Sequence, residues 1–265
     1  MNQNKHDGIR REFDKNGYVI VRNVLDEELV SEMRDHVNWL LEKHPDTRPE
    51  QLHHTLIMDN PFWVRVVKDS RLLDIAEQFI GPDIALFASH YICKRPHDGQ
   101  AVLWHQDGSY WPLDPMEVIT LWVSLDHSTP ENGCMRVIPG TQHLDLQELE
   151  ERRDVDNVLE SAMNASMVEE AKAVDLLLKP GDVSIHHPNI IHGSNANTSD
   201  RWRRSLTIRY IPATTRVLDE NWPCVMMLRG NPVEGINQYV DCPRFKKDIH
   251  FPFRGSESWN EQTGK

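Results

Sequence analysis

Trp104-His105-Gln106-Asp107 sets an imidazole and a carboxylate two residues apart. In an extended segment, residues two apart point to the same side, so both side chains can reach one ion. His192 follows far downstream in Ile191-His192-Gly193-Ser194. Two imidazoles and one carboxylate form the facial set of non-haem Fe(II) centres, which leaves coordination positions open for a co-substrate and O2. The same donors also suit a zinc hydrolase. Arg203 comes soon after His192, on a segment of alternating character. Arg203, Ser205, Thr207 and Arg209 fall on one side, and Leu206, Ile208 and Tyr210 on the other. A guanidinium fork inside a barrel is suited to a bidentate carboxylate. Such a site need not turn over, so a non-catalytic β-barrel binding protein is the third reading.

These residues need a rigid frame. Gly17–Val21 has the glycine-then-β-branched pattern of a short strand. Asp26 can cap a helix whose buried face is Leu29, Met33, Val37, Leu40 and Leu41, with Pro45 beyond its end. A second helical region runs through Phe62–Phe79, with Ser70 as an internal cap and Gly81-Pro82 as the stop. Beyond Gly81 the pattern turns to strands: Ile84–Lys94, Val118–Leu125, Cys134–Ile138, Leu176–Leu178, Val183–His187 and Arg203–Ile211. Residues 144–174 are charged and helix-compatible, an excursion off the barrel that could form a lid, with Glu148–Arg153 as a solvated helix face. The expected architecture is mainly β with flanking helices. A helical layer over about 1–80 packs on a β core over about 81–212, followed by an irregular tail over 213–265, all in one domain.

Composition narrows the function. Lys plus Arg is 29 and Asp plus Glu is 41, a formal charge of −12 that disfavours nucleic acid as a partner. No apolar run approaches the roughly 20 residues that span a bilayer. Met1–Asp7 lacks the apolar core of a secretory signal. The four cysteines form no paired motif, which suits free thiols in a reducing cytoplasm. The oligomeric state is not legible.

Further motifs carry a resemblance. Gly17-Tyr18-Val19-Ile20-Val21-Arg22-Asn23-Val24-Leu25, Gly81-Pro82, Lys94-x-Pro96 and the His-x-Asp segment stand in a familiar order. So do Asn132–His143 (NGCMRVIPGTQH), Pro180-Gly181-Asp182-Val183 and His192-Gly193-Ser194. Over about residues 8–212 the chain resembles the phytanoyl-CoA dioxygenase family of Fe(II)/2-oxoglutarate oxygenases. The resemblance implies a double-stranded β-helix, a jelly-roll, cupin-like core. It implies Fe(II) on His105, Asp107 and His192, and 2-oxoglutarate with its C5 carboxylate on Arg203. It adds Ser194 and Trp122 as co-substrate contacts, with His90 and His53 at two further contact positions. His90 stands where the family commonly has Gln or Met. The implied reaction couples O2 and the decarboxylation of 2-oxoglutarate, to succinate and CO2, to oxidation of a C–H bond of a small-molecule substrate. An intact Asp107 points to hydroxylation or a related oxidation.

Around that site, Trp104, Tyr110 and Trp111 are expected to line the substrate pocket. His186-His187-Pro188 is expected to pack or to support the distal ligand, Arg136 to be structural, and Arg209 and Arg216 to be solvated or salt-bridged.

Overall fold

The computed structural model describes residues 3–263, with side chains from Gly8 onward. The expectation about the leader falls partly on Met1 and Asn2, outside the described residues. Among the described residues there are five α-helices: α1 (Gln3–Asn16), α2 (Glu27–Lys43), α3 (Pro61–Val67), α4 (Ser70–Ile80) and α5 (Trp259–Thr263). The strands are β1 (Tyr18–Val21), β2 (Ile84–Tyr91), β3 (Val102–His105), β4 (Leu113–Asp114), β5 (Ile119–Ser124), β6 (Met135–Val137) and β7 (Glu150–Glu151). They continue with β8 (Ser161–Ala162), β9 (Val174–Asp175), β10 (Val183–His186), β11 (His192–Ser194), β12 (Ser205–Pro212), β13 (Arg216–Val217) and β14 (Met226–Arg229).

Two antiparallel sheets form a jelly roll. The larger has the order β1-β10-β5-β12-β2-β14, the smaller β3-β11-β6-β9. Period-2 alternation gives the larger sheet two unlike faces. Ile119, Leu121, Val123, Ile185, Leu206, Ile208 and Tyr210 share one core with Leu29, Met33, Val37 and Leu40 of α2 and with Phe62, Trp63 and Ile75. The opposite face carries Thr120, Trp122, Ser184, His186, Thr207 and Arg209, all buried. Trp122 meets Met135, Val137 and Ile190 there, so this face looks onto the smaller sheet.

Local chemistry explains the helices. Asp26 caps α2 by accepting from Leu29 N at 2.9 Å. The cap of α4 is Asp69, which accepts from Arg71 N at 3.0 Å, and not Ser70, which becomes the first helical residue. Gly81 ends α4 at φ 81°, a conformation that favours glycine. The tail packs back on the helical layer: Phe251 meets His36, Trp39 and Phe62, and Phe253 meets Phe62.

Two expectations about the 144–174 excursion fail. Among the described residues it contains no α-helix, and Glu150–Glu151 is an exposed strand paired with Ser161–Ala162. Asn157 donates to the carbonyls of Arg152 and Val155, and Asn164 accepts from Ser166 N, so these amides stabilise turns instead of a helix. The expected strand at Leu176–Leu178 is also displaced. β9 is Val174–Asp175, and Leu178 makes only an isolated bridge to Ser128.

Candidate active site

The smaller sheet brings the two histidines together. β3 and β11 pair antiparallel with His105 opposite His192, and the ring centroids lie 4.1 Å apart. His105 Nδ1 lies 2.8 Å from Leu103 O, and His192 Nδ1 lies 3.0 Å from Ile190 O. A carbonyl only accepts, so Nδ1 of each ring carries a proton and donates, which leaves Nε2 as the atom turned inward. Burial, with His105 alongside, holds His192 well below its ordinary pKa, so it is neutral at pH 7.

Asp107 follows His105 on extended backbone, with Gln106 at φ −115° and ψ 125°. β3 ends at His105, and Asp107 opens a short 3-10 turn over Asp107–Tyr110. With Gln106 extended, carboxylate and imidazole point to the same side, as their spacing suggests, although the strand itself ends at His105. Gln106 anchors this segment by donating to Asn189 O at 2.7 Å and accepting from Gln147 N at 2.8 Å. Asp107 Oδ1 lies 3.5 Å from His105 Nε2 and 3.9 Å from His192 Nε2. Donor atoms of the three residues all fall within 4.8 Å of one another. The other oxygen, Oδ2, faces His186 Nε2 at 3.5 Å and Arg209 Nη2 at 3.6 Å. Burial alone would raise the Asp107 pKa; Arg209, His105 and His186 outweigh it and hold the carboxyl well below the usual range.

Arg203 is fully buried and bridges Lys94 at the start of the β12 segment. Its Nη1 donates to Ile92 O at 3.1 Å and Ser205 Oγ at 2.7 Å, while Nε and Nη2 have no partner. Its guanidinium lies 5.0 Å from the Trp122 ring centroid. Burial pushes its pKa down to about 10, so it stays charged at neutral pH. Ser194 Oγ accepts from Lys94 Nζ at 2.7 Å, which leaves its own O–H free to donate. A buried charge with unused N–H groups is costly unless an anion completes it, so this corner fits a carboxylate ligand.

These groups surround a cavity of about 500 Å³. His105, Asp107, His192, Ser194, Trp122, His90, His53, Tyr110 and Trp111 all line it; Arg203 lies behind Trp122. Val158 and Leu159 of the excursion reach the cavity, as does Trp222 of the tail. Trp104 does not. It lies with Ile138, Met163 and Ile191 under the excursion, with Arg136 5.4 Å from its ring, because its position on β3 alternates with that of His105. Arg136 pairs with Glu170 and Asp175 as a structural residue.

Arg209 takes the salt-bridged of its two expected roles. It is buried against Asp107, not solvated. Its place on the same strand side as Arg203 was the available signal. His186 likewise follows Ser184 on the inner side of β10, and both of its ring nitrogens lack a hydrogen-bond partner.

The family profile of phytanoyl-CoA dioxygenase (PhyH) matches residues 13–205. Peroxisomal phytanoyl-CoA dioxygenase of Homo sapiens is 24% identical over 255 residues, covering 87% of this chain and 73% of that one. The apo structure of the non-heme monooxygenase ThoJ superposes with a TM-score of 0.76 at 21% identity, over 96% of this chain and 94% of that chain. The epimerase SnoN in complex with Fe3+, alpha ketoglutarate and nogalamycin RO gives 0.69 at 19% identity, over 93% of this chain and 98% of that chain. The structural likenesses bear on fold. The profile spans most of the sequence, and the chain belongs to the phytanoyl-CoA dioxygenase family of Fe(II)- and 2-oxoglutarate-dependent dioxygenases.

Proposed function

We propose that His105, Asp107 and His192 hold the ferrous ion, and that Arg203, with Ser194 and Trp122 beside it, receives the C5 carboxylate of 2-oxoglutarate. The observation that carries this reading is the convergence of two inward-turned Nε2 atoms and Asp107 Oδ1 beside a buried guanidinium with unused N–H groups. A zinc hydrolase would leave Arg203 without a task. When bound, the metal and co-substrate supply the activation of O2 that oxidises a substrate C–H bond, with succinate and CO2 as co-products.

The chain's own residues do the positioning. Carbonyls of Leu103 and Ile190 fix the imidazole tautomers. Arg209 and His186 face Asp107 Oδ2, which leaves Oδ1 for the metal. Ser194 is set to donate toward the co-substrate, because Lys94 occupies it as an acceptor. His90 has both ring nitrogens engaged, one with Arg209 and one with His54, so it and His53 are assigned away from the co-substrate. Tyr110, Trp111 and Trp222 wall the cavity and exclude water.

The substrate is a small molecule with an apolar body. Among the described cavity-lining residues Arg209 is the only Arg or Lys, and it faces Asp107, so no cationic cluster is left for the phosphates of a CoA thioester. The formal charge of −12 supports no nucleic-acid role. No described helix is long and apolar enough to cross a membrane. Four free thiols support action in a reducing compartment such as the cytoplasm, by a single-domain enzyme.

The test is anaerobic. Protein mixed with Fe(II) and 2-oxoglutarate is expected to develop a weak visible charge-transfer band, and Asp107→Ala is expected to abolish it. An unaltered band in Asp107→Ala would overturn the ligand assignment.

A further inference from the structure

The cavity holds a polar group that neither the metal nor the co-substrate uses. His53 and His54 precede α3, and His90 lies on β2. Their donor atoms lie within 4.8 Å of one another, a spacing that would also suit a metal. The hydrogen bonding decides otherwise. Arg209 Nη1 lies 3.4 Å from His90 Nδ1, and His90 Nε2 lies 2.6 Å from His54 Nδ1. A guanidinium only donates. His90 Nδ1 therefore accepts, and the one proton of the neutral ring sits on Nε2. That N–H donates to His54 Nδ1, so His54 carries its proton on Nε2. Burial, with Arg209 next, keeps His90 neutral, and burial, with His53 and Arg209, holds His54 down to about 3. A metal between these rings would need the lone pair that this bond occupies, and would sit beside a guanidinium. The far end of the chain is open: the only hydrogen bond of the His54 ring among the described residues is the one at Nδ1. The ring lines the cavity and stacks on Trp222 at 5.0 Å and 21°.

The geometry points to His54 as a specificity-determining residue that presents Nε2–H to a carboxylate or carbonyl oxygen of the primary substrate, whose apolar body lies against Trp222 and Trp111. The polarity originates at Arg209, which Asp107 holds in place. His90 transmits it as a positioning residue. The inference rests on the iron and 2-oxoglutarate reading above, since that reading leaves this side of the cavity to the substrate.

The enzyme loaded anaerobically with Fe(II) and 2-oxoglutarate is titrated with 2-naphthoate and with 2-naphthylmethylamine. The two share a ring body and differ in whether the head group accepts or donates. Naphthoate is expected to bind about tenfold more tightly than the amine, one charge-assisted hydrogen bond's worth. His54→Phe is expected to weaken naphthoate about tenfold without weakening the amine, and His54→Gln, which keeps a side-chain N–H donor, to recover most of the loss. Equal binding of the two probes overturns the inference, as does a naphthoate affinity unaffected by His54→Phe. Loss of the charge-transfer band in His54→Phe also overturns it, by moving His54 to the co-substrate, while leaving the iron reading intact. A Co(II) equivalent that survives in Asp107→Ala and disappears in His54→Phe overturns it in favour of a second metal site. Absence of the band in the unaltered enzyme removes the reading beneath it instead.

Discussion

The two ends of the β12 segment carry the same residue in opposite circumstances. Arg203 and Arg209 lie on one side of the strand, both buried, at 0% and 7% exposure. Arg209 meets a carboxylate, Asp107, at 3.6 Å and donates to Thr207 Oγ1 at 2.7 Å. Arg203 meets a carbonyl and a hydroxyl, has no ion-pair partner among the described residues, and leaves two nitrogens unused. Desolvating a guanidinium costs several kcal/mol unless opposite charge offsets it. The protein completes one arginine from within and leaves the other to be completed by a ligand. The first is part of the scaffold of the metal site; the second is a receptor.

Substitutions can break that contrast. Arg203→Ala is expected to weaken 2-oxoglutarate by about 100-fold or more, read by titrating the charge-transfer band, with Fe(II) affinity retained. Arg203→Lys is expected to recover only part, because a point charge lacks the planar fork. Undiminished 2-oxoglutarate affinity in Arg203→Ala would dissolve the receptor role. Arg209→Met is expected to act in the opposite sense. Metal affinity, measured with Co(II), falls roughly 10- to 100-fold as Asp107 Oδ2 loses its cation, and 2-oxoglutarate affinity changes by less than about threefold. A co-substrate defect larger than the metal defect would erase the difference between the two ends.

A smaller effect sharpens the comparison from outside the site. His36 is fully buried, and burial drives its pKa from 6.5 down to about 3. The unfolded chain therefore binds the extra proton between those values. The contribution of His36 is complete above about pH 6.5 and declines as pH falls toward 3, by up to about 1.4 kcal/mol per pH unit. His36→Phe is expected to flatten the loss of urea resistance between pH 6 and 4. Identical slopes in the two proteins would remove His36 as a source of acid sensitivity, and would show that a buried polar side chain can tolerate an uncompensated charge here.

The parts of the site legible in the sequence were those fixed by local pattern. His105, His192 and Arg203 sit on or beside segments whose alternation marks them as strands, and the core positions of α2 and β12 follow from the same periodicities. What escaped depended on partners distant in sequence. Arg209 reads as solvated or salt-bridged until Asp107 is known to face it. Trp104 looks like a pocket wall until the excursion is known to cover its side of β3. The excursion looks helical by composition, yet its Asn side chains satisfy backbone groups in turns. The two-residue spacing of His105 and Asp107 suggested the right partners because the backbone stays extended through Gln106, and the turn begins only at Asp107.

One irregularity in β2 reaches further than its size. The pairing with β12 slips between Arg209 and Tyr210, so that Phe87 has no opposite number. Its carbonyl accepts instead from the indole N–H of Trp222 at 2.7 Å, and the two rings stack at 4.5 Å. A single surplus residue in one strand thus tethers the C-terminal tail to the barrel and makes its tryptophan a pane of the reaction chamber. Divergence of the tail can therefore refit the chamber to a new guest while the machinery that burns oxygen stays untouched.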